Sequence, residues 1–233
     1  MSRFFNGFGD DSISFSAGAL ASIGGGPWSC AVLHRPDSGF CGLFHTQKTG
    51  TTQFEIWGEG SNYFVFPGGF SQGPAPISAT WQLIGFSKGA GNVTPRYHIV
   101  PLEGGSAGVW THQDGTTTVN DWSTPIDLLM AGHGQRKGNG RIAAIACWNQ
   151  TFTDGNWQAQ IGFTSAQQWF NTLPKGMWLF NQTNVAQPVN DVTGNGANQS
   201  ATTNPAVDGN DPPGWSYALA TLATGSLFLP FFR

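Results

Sequence analysis

Charge is scarce in this sequence. Asp, Glu, Lys and Arg make up 10% of the 233 residues, against about 25% in ordinary globular domains. So few Lys and Glu argue against long helices with a solvated face, and they leave the surface weakly protected against association. The 10 basic and 13 acidic residues give a net charge of −3. With no basic stripe, nucleic acid is excluded as a partner. Cysteine is scarce too: Cys30, Cys41 and Cys147 leave at least one thiol unpaired, which rules out a dense disulfide scaffold. A turn at Pro36-Asp37-Ser38-Gly39 would set His34 opposite Cys41. Cys30 would then lie about 13 Å further along the ladder, too far for a Cys30–Cys41 disulfide. Three buried thiols are expected.

Long apolar runs are also missing. Met1-Ser2-Arg3 leads straight into strand-like sequence at Phe4, so no secretory signal is expected. Residues 212–232 carry no charge, yet Gly225, Pro230 and scattered Ser and Thr argue against a membrane-spanning helix. No Ser-His-Asp, P-loop or dinucleotide pattern is present. Gly104-Gly105-Ser106-Ala107-Gly108 is a glycine cluster with no helix after it.

What the chain does have is aromatic residues, at 13%, with 33 Gly and 14 Pro. Alternating or apolar runs bounded by Gly, Pro and Asn recur at 11–15, 28–34, 40–45, 53–57, 63–66, 80–86, 95–101, 108–112, 126–131 and 141–148. Each has strand length, and the punctuation between them is turn chemistry. Residues 58–62 read as a hairpin loop. Short helices are predicted at 153–161, opened by a Thr cap, and at 165–170, opened by a capping-box pattern. Beyond Pro188 the composition shifts to Asn, Gly, Thr, Pro and Asp and reads as loop up to Pro213. The pattern predicts an all-β, antiparallel two-sheet β-sandwich with one or two short helices. Residues 1–214 would form the sandwich, and 215–233 an apolar C-terminal tail.

Two separated segments carry a resemblance. The first is Phe5-Asn6-Gly7-Phe8-Gly9-Asp10-Asp11-Ser12-Ile13, followed by Gly26-Pro27-Trp28-Ser29-Cys30-Ala31-Val32. The second is Gly140-Arg141-Ile142-Ala143-Ala144-Ile145-Ala146-Cys147-Trp148-Asn149 with the helix at 153–161 after it. Behind these come Gly176-Met177-Trp178-Leu179-Phe180, the turn around Asp191, Gly194, Asn195 and Gly196, and Asp211-Pro212-Pro213-Gly214. Together they resemble the concanavalin A-like lectin/glucanase superfamily in its laminin-G-like branch, including the single domains found among tailed-phage virion proteins. The resemblance implies a jelly roll that binds or assembles rather than catalyses. It places the chain on a virion surface, as a capsid decoration or minor tail protein that contacts other virion proteins or identical subunits and could bind a cell-surface glycan. A free carbohydrate-binding lectin domain is the alternative, and a glycoside hydrolase a third.

The hydrolase reading turns on one motif. The glucanase branch carries Glu, Asp and Glu at alternate positions of a strand, and Glu55-Ile56-Trp57-Gly58-Glu59 supplies the two outer glutamates with Trp57 in place of the central Asp. The turn-like Gly58-Glu59-Gly60 would also splay the pair, so no catalytic residue is assigned. Calcium, which the family's lectin and laminin-G members often hold, would need Asp and Asn oxygens. Asp10, Asp11, Asp114, Asp121, Asp191 and Asn195 are available, but turn and cap chemistry accounts for them equally. No metal ligand or other cofactor is assigned, and His34, His45, His98, His112 and His133 show no zinc spacing.

Glycan binding uses aromatic faces with nearby polar groups. Trp57, Trp110 and Trp122 fall at predicted strand ends and loops, with Asp121, Asn120 and Gln113 as polar partners. Leu227, Leu229, Phe231 and Phe232 could form an apolar docking arm, or an extra strand covering a sheet edge.

Overall fold

Side-chain alternation along short strands is what assembles this chain. The computed structural model describes residues 2–6, 12–16, 26–37, 41–48, 51–59, 62–66, 71–74, 79–91, 93–105, 107–118, 128–131, 139–160, 164–184, 187–196, 198–203 and 206–219. With strands numbered in chain order, the first sheet runs β10 (Thr111–Asp114), β9 (Arg96–Pro101), β8 (Gln82–Lys88), β3 (Trp28–Pro36), β12 (Asn139–Trp148), β1 (Ser2–Asn6) and β15 (Ala206–Asp208). Beside β1, the far half of β12 also pairs with β13 (Gly176–Leu179). The second sheet runs β14 (Gln199–Thr203), β2 (Ser12–Ser16), β11 (Leu128–Ala131), β4 (Cys41–Lys48), β5 (Thr51–Glu59), β6 (Asn62–Phe66) and β7 (Ser71–Gln72). The pairings that build both sheets are antiparallel. Among the described residues the helices are α1 (Asp154–Gln160) and α2 (Ala166–Phe170), and neither is long or apolar enough to cross a membrane.

Two cores form, one on each side of the first sheet. Between the sheets lie Phe5, Trp28, Cys30, Val32, Ile84, Phe86, Tyr97, Ile99, Ile142 and Ile145, facing Ile13, Phe15, Phe44, Ile56 and Tyr63. The alternate residues of the same strands, among them Ala31, Leu33, Leu83, Val100, Ala144 and Ala146, form an outer core with Trp148, Phe152, Trp157 and Trp169. An antiparallel sheet ordinarily leaves one face to water and alternates polar with apolar residues. Here β3 and β8 are buried almost throughout, which explains their near-continuous apolar sequences.

The inter-sheet core contains a polar bridge. The Tyr63 hydroxyl on β6 lies 2.6 Å from His34 Nε2 on β3, and both residues are almost fully buried. Burial drops the His34 pKa to about 3. The imidazole is therefore neutral, and its tautomer sets which of the two groups donates across the bridge.

The predicted strands all overlap observed ones, but four expectations need correction. β3 and β4 form no hairpin: β3 pairs with β8 and β12 in the first sheet and β4 with β5 and β11 in the second, so His34 stands opposite Gln82 and Ile142 rather than Cys41. β5 continues through Gly58 and Glu59 and pairs there with Tyr63 and Asn62, so these residues belong to strands and not to a loop. β10 begins at Thr111, later than the predicted 108–112 run. The stretch after Pro188 is not all loop: it supplies β14 to the second sheet and β15 to the first. Trp215, Tyr217 and Leu219 pack partly buried against the outer core, and Ser216 bridges Ser165.

At Gly85 on β8 the outer layer lies directly against the sheet. A Cβ there would lie 2.5 to 2.8 Å from ring atoms of Trp157. Gly85→Ala should therefore lower unfolding stability by about 1–3 kcal/mol through overpacking. Gly89→Ala, where a Cβ meets only Val93 at 3.7 Å, should change it by less than about 0.5 kcal/mol. Urea unfolding of the two variants checks the contrast.

Candidate functional site

A group of fixed polar and aromatic side chains gathers where β9 and the edge strand β10 meet the start of α1. Arg96 opens β9 opposite Asp114 on β10. Its Nε and Nη2 donate to the two Asp114 oxygens at 2.6 and 3.1 Å, and Nη1 donates to both Asp154 oxygens at 3.0 Å. Asp154 lies in the first turn of α1, so one guanidinium ties the sheet edge to the helix. Those hydrogen bonds push the Arg96 pKa further up, and Arg96 holds the Asp114 carboxyl below the usual range. Two carboxylates on one guanidinium leave the cluster with a net charge of −1.

Around it opens a cleft of about 700 Å³ lined by Ser87, Thr94, Thr151, Phe152 and Thr153 as well as the three charged residues. That is the size range of small-ligand sites. A hollow of about 10 Å³ beside Phe5 and His34 holds at most a water molecule.

An aromatic stack lies beside the cleft. His98 sits between Trp157 on α1 and Trp110, with ring centroids at 5.0 and 5.8 Å and planes 26° apart in both pairs. Trp110 in turn lies 4.7 Å from His112. The stack runs from buried Trp157 and His98, through half-buried Trp110, to exposed His112. His98 finds no hydrogen-bond partner for either ring nitrogen among the described residues, and burial lowers its pKa to about 3.

The expected site residues scatter. Trp110 belongs to this surface. Gln113, although exposed, stands opposite the inward-facing Tyr97, so strand alternation turns it away from Trp110, His112 and Asp114. Trp57 is corrected by burial: it is 1% exposed on the outer face of the second sheet and stacks on Phe64 at 5.4 Å. Asn120, Asp121 and Trp122 lie outside the described residues, as do Leu227, Leu229, Phe231 and Phe232.

Glu55, Trp57 and Glu59 do share one strand, contrary to the turn expected at Gly58. Glu55 is buried and stands opposite His45.

Among the calcium candidates, Asp10, Asp11 and Asp121 lie outside the described residues. Asp191 accepts from the backbone N–H groups of Met177, Thr193 and Asn195 and from the Thr193 hydroxyl. The Asn195 amide donates to Lys175 O. This is turn chemistry, whose donors a cation would have to displace. Among the described residues no group of three or more His, Cys, Asp or Glu could hold a metal.

Sequence reasoning missed Arg96 and Asp154. They lie 58 positions apart, and the only local signal was the cap pattern at Thr153-Asp154.

No family model matches the sequence, and no relative is found among curated proteins. Solved structures do match. A candidate carbohydrate-binding protein from Bacteroides ovatus ATCC 8483 superposes with a TM-score of 0.53 at 11% identity, over 88% of this chain and 61% of that one. A heptameric SAP-like pentraxin from Limulus polyphemus gives 0.48 at 10% identity, over 69% and 81%. The LG1-3 region of the laminin alpha2 chain gives 0.42 at 13% identity, over 56% of this chain and 29% of the laminin chain. The chain thus spans under a third of that laminin structure. At such identity the likeness to the Bacteroides ovatus protein speaks for the fold alone, a jelly roll as the two sequence segments imply.

The two buried histidines set a pH dependence. Both have folded pKa values near 3, against about 6.5 in an unfolded chain. Between those values the unfolded state binds more protons, so stability falls as pH drops below about 6.5 and levels off near 3. From pH 7 to pH 5 each histidine should remove up to about 2 kcal/mol. Urea midpoints across that range check it. His98→Phe, which keeps a ring between the two tryptophans, should flatten the slope; an unchanged slope would acquit His98.

Proposed function

We propose that this chain is a non-enzymatic, lectin-like domain that binds a glycan at the β9–β10–α1 surface. The observation that carries the reading is the juxtaposition of an open, hydroxyl-lined cleft with the Arg96–Asp114–Asp154 cluster and the Trp110–His112 pair. A sugar needs an aromatic face for its C–H patch and fixed acceptors for its hydroxyls. Arg96 provides the fixing: it orients two carboxylates whose side chains stay 60% and 38% exposed. Because its own charge is already matched twice over, the cleft favours a neutral sugar over one bearing a carboxylate. The fold of the Bacteroides ovatus protein, described as a candidate for carbohydrate binding, agrees with this reading. Trp57 at the position of the central glucanase carboxylate supports the absence of catalysis.

The proposal extends to place. By its sequence resemblance the domain belongs on a phage-type virion surface, as a capsid decoration or minor tail component, with the 215–233 tail, through Leu227, Leu229, Phe231 and Phe232, as the docking arm onto other virion proteins or identical subunits. A free lectin domain would use the same cleft without the arm.

On a glycan array, neutral oligosaccharides should score above sialylated ones, and Trp110→Ala or Asp154→Ala should weaken the best hit at least tenfold with the thermal midpoint little changed. No hit, or a hit indifferent to both variants, rejects the site. Truncation after Leu219 spares the packed Trp215, Tyr217 and Leu219, so it should remove incorporation into particles while leaving glycan binding intact. Normal incorporation rejects the arm. Glu55→Gln should leave glycan binding unchanged, and β-glucan hydrolysis that disappears in that variant would reject the non-enzymatic reading.

A further inference from the structure

Cys30 and Cys147 face each other directly in the β3–β12 ladder, although 117 positions separate them in sequence. Their sulfurs lie 3.4 Å apart, and both are free, buried thiols of the inter-sheet core. Directly opposed residues of an antiparallel pair have Cα atoms about 4.5–5.5 Å apart, within the roughly 4.4–6.8 Å that a disulfide spans. Both side chains leave the same face of the sheet, so their Cβ vectors already agree. The sulfurs need only close from 3.4 Å to about 2.05 Å, which side-chain rotation can supply without moving either strand.

We propose that Cys30 and Cys147 are the site of a cross-strand disulfide, formed when the chain folds in the presence of a small disulfide oxidant such as oxidised glutathione. One cysteine thiolate attacks the oxidant's S–S bond, giving a protein–glutathione mixed disulfide and releasing one glutathione thiolate. The other cysteine thiolate attacks the protein sulfur of that mixed disulfide, the Sγ–Sγ bond forms, and the second glutathione leaves. Two electrons pass to the oxidant. The protons of the two cysteine thiols end on the two departing glutathiones.

Burial decides when this happens. Cys147 is 4% and Cys30 1% exposed, which bars an oxidant from the closed sheet. Desolvation and the neighbouring Cys30 also push the Cys147 thiol well up, so thiolate is scarce in the native state. The bond therefore forms before β3 and β12 close, or through their local opening. Once made, it fastens the two central strands of the first sheet. It also closes a loop containing β4 through β11, long enough for a large loss of unfolded-chain entropy. The inference does not depend on glycan binding.

The test uses the full chain, unfolded in urea and refolded with oxidised and reduced glutathione or with a phosphine reductant alone. Oxidative refolding should give a mass lower by two hydrogens, a peptide map joining Cys30 to Cys147, and a thermal midpoint about 5–15 °C above the reduced form. Native reduced protein given the same oxidant should react far more slowly. Cys41→Ala should keep the bond and the shift, whereas Cys147→Ala should lose both. Three titratable thiols after oxidative refolding, a bond mapping through Cys41, or a bond without a rise in midpoint would each overturn the proposal. The wild-type map decides the matter even if a variant fails to fold.

Discussion

A sheet covered on both faces needs small residues wherever something lies flat against it. In the first sheet the outward positions of β3 and β12 include Ala31, Ala144 and Ala146, and β8 presents Gly85. Against this low relief lie Trp148, Trp157, Trp169 and Phe152, in ring contacts of 4.6 to 6.4 Å. Aromatic pairs at such spacing gain about 0.5–1.5 kcal/mol beyond burial. The outer layer is thus a second core, which fixes the positions of α1, α2 and the residues from Trp215 to Leu219. The rest of the molecule is arranged around that requirement.

The candidate site inherits its rigidity from this layer. α1 is only seven residues long, too short to be stable alone, and it is held from below by Trp157 on Gly85 and at its start by Asp154 on Arg96. The ion pairs are too exposed to contribute much stability. Their effect is geometric: the guanidinium fork fixes the directions in which two carboxylates present their remaining lone pairs. The His98 stack does the same for Trp110, holding its ring by contact with a neighbour that is itself locked. A recognition surface works best when its groups are ordered before the ligand arrives.

Much of the fold could be read from the sequence because Gly and Pro mark strand ends and because doubly buried strands become continuous apolar runs. β14 and β15 escaped, since Gln199–Thr203 and Ala206–Asp208 have loop-like composition and become strands only by adding to sheets already formed. Gly58 looked like a turn but pairs within β5, where the partner strand overrides local preference. Trp57 shows why a tryptophan's exposure cannot be inferred from strand position. It points away from the inter-sheet core and is buried nonetheless. Cys30–Cys147 and Arg96–Asp154 were invisible for a simpler reason. Hairpin arithmetic reaches only neighbours along one turn, whereas these pairs are made by strand order and helix placement across 117 and 58 positions.

The shortage of charge noted at the outset takes on a different meaning once the charges are located. Arg141 is occupied by Asp37 and Asp208, Arg35 pairs with Asp37, and Arg96 is shared between Asp114 and Asp154. The Lys88 ammonium is buried and donates to the carbonyls of Gly89 and Gly91. Few as they are, these ions hold the protein's own elements together rather than facing outward. Long-range steering of a charged partner needs an unmatched surface field, and these matched groups provide little of one. Recognition at the β9–β10–α1 surface then depends on short-range contacts from indole, imidazole, hydroxyl and carboxylate groups. Such contacts are screened little by salt, and they suit a neutral, polyhydroxylated partner better than an ionic one.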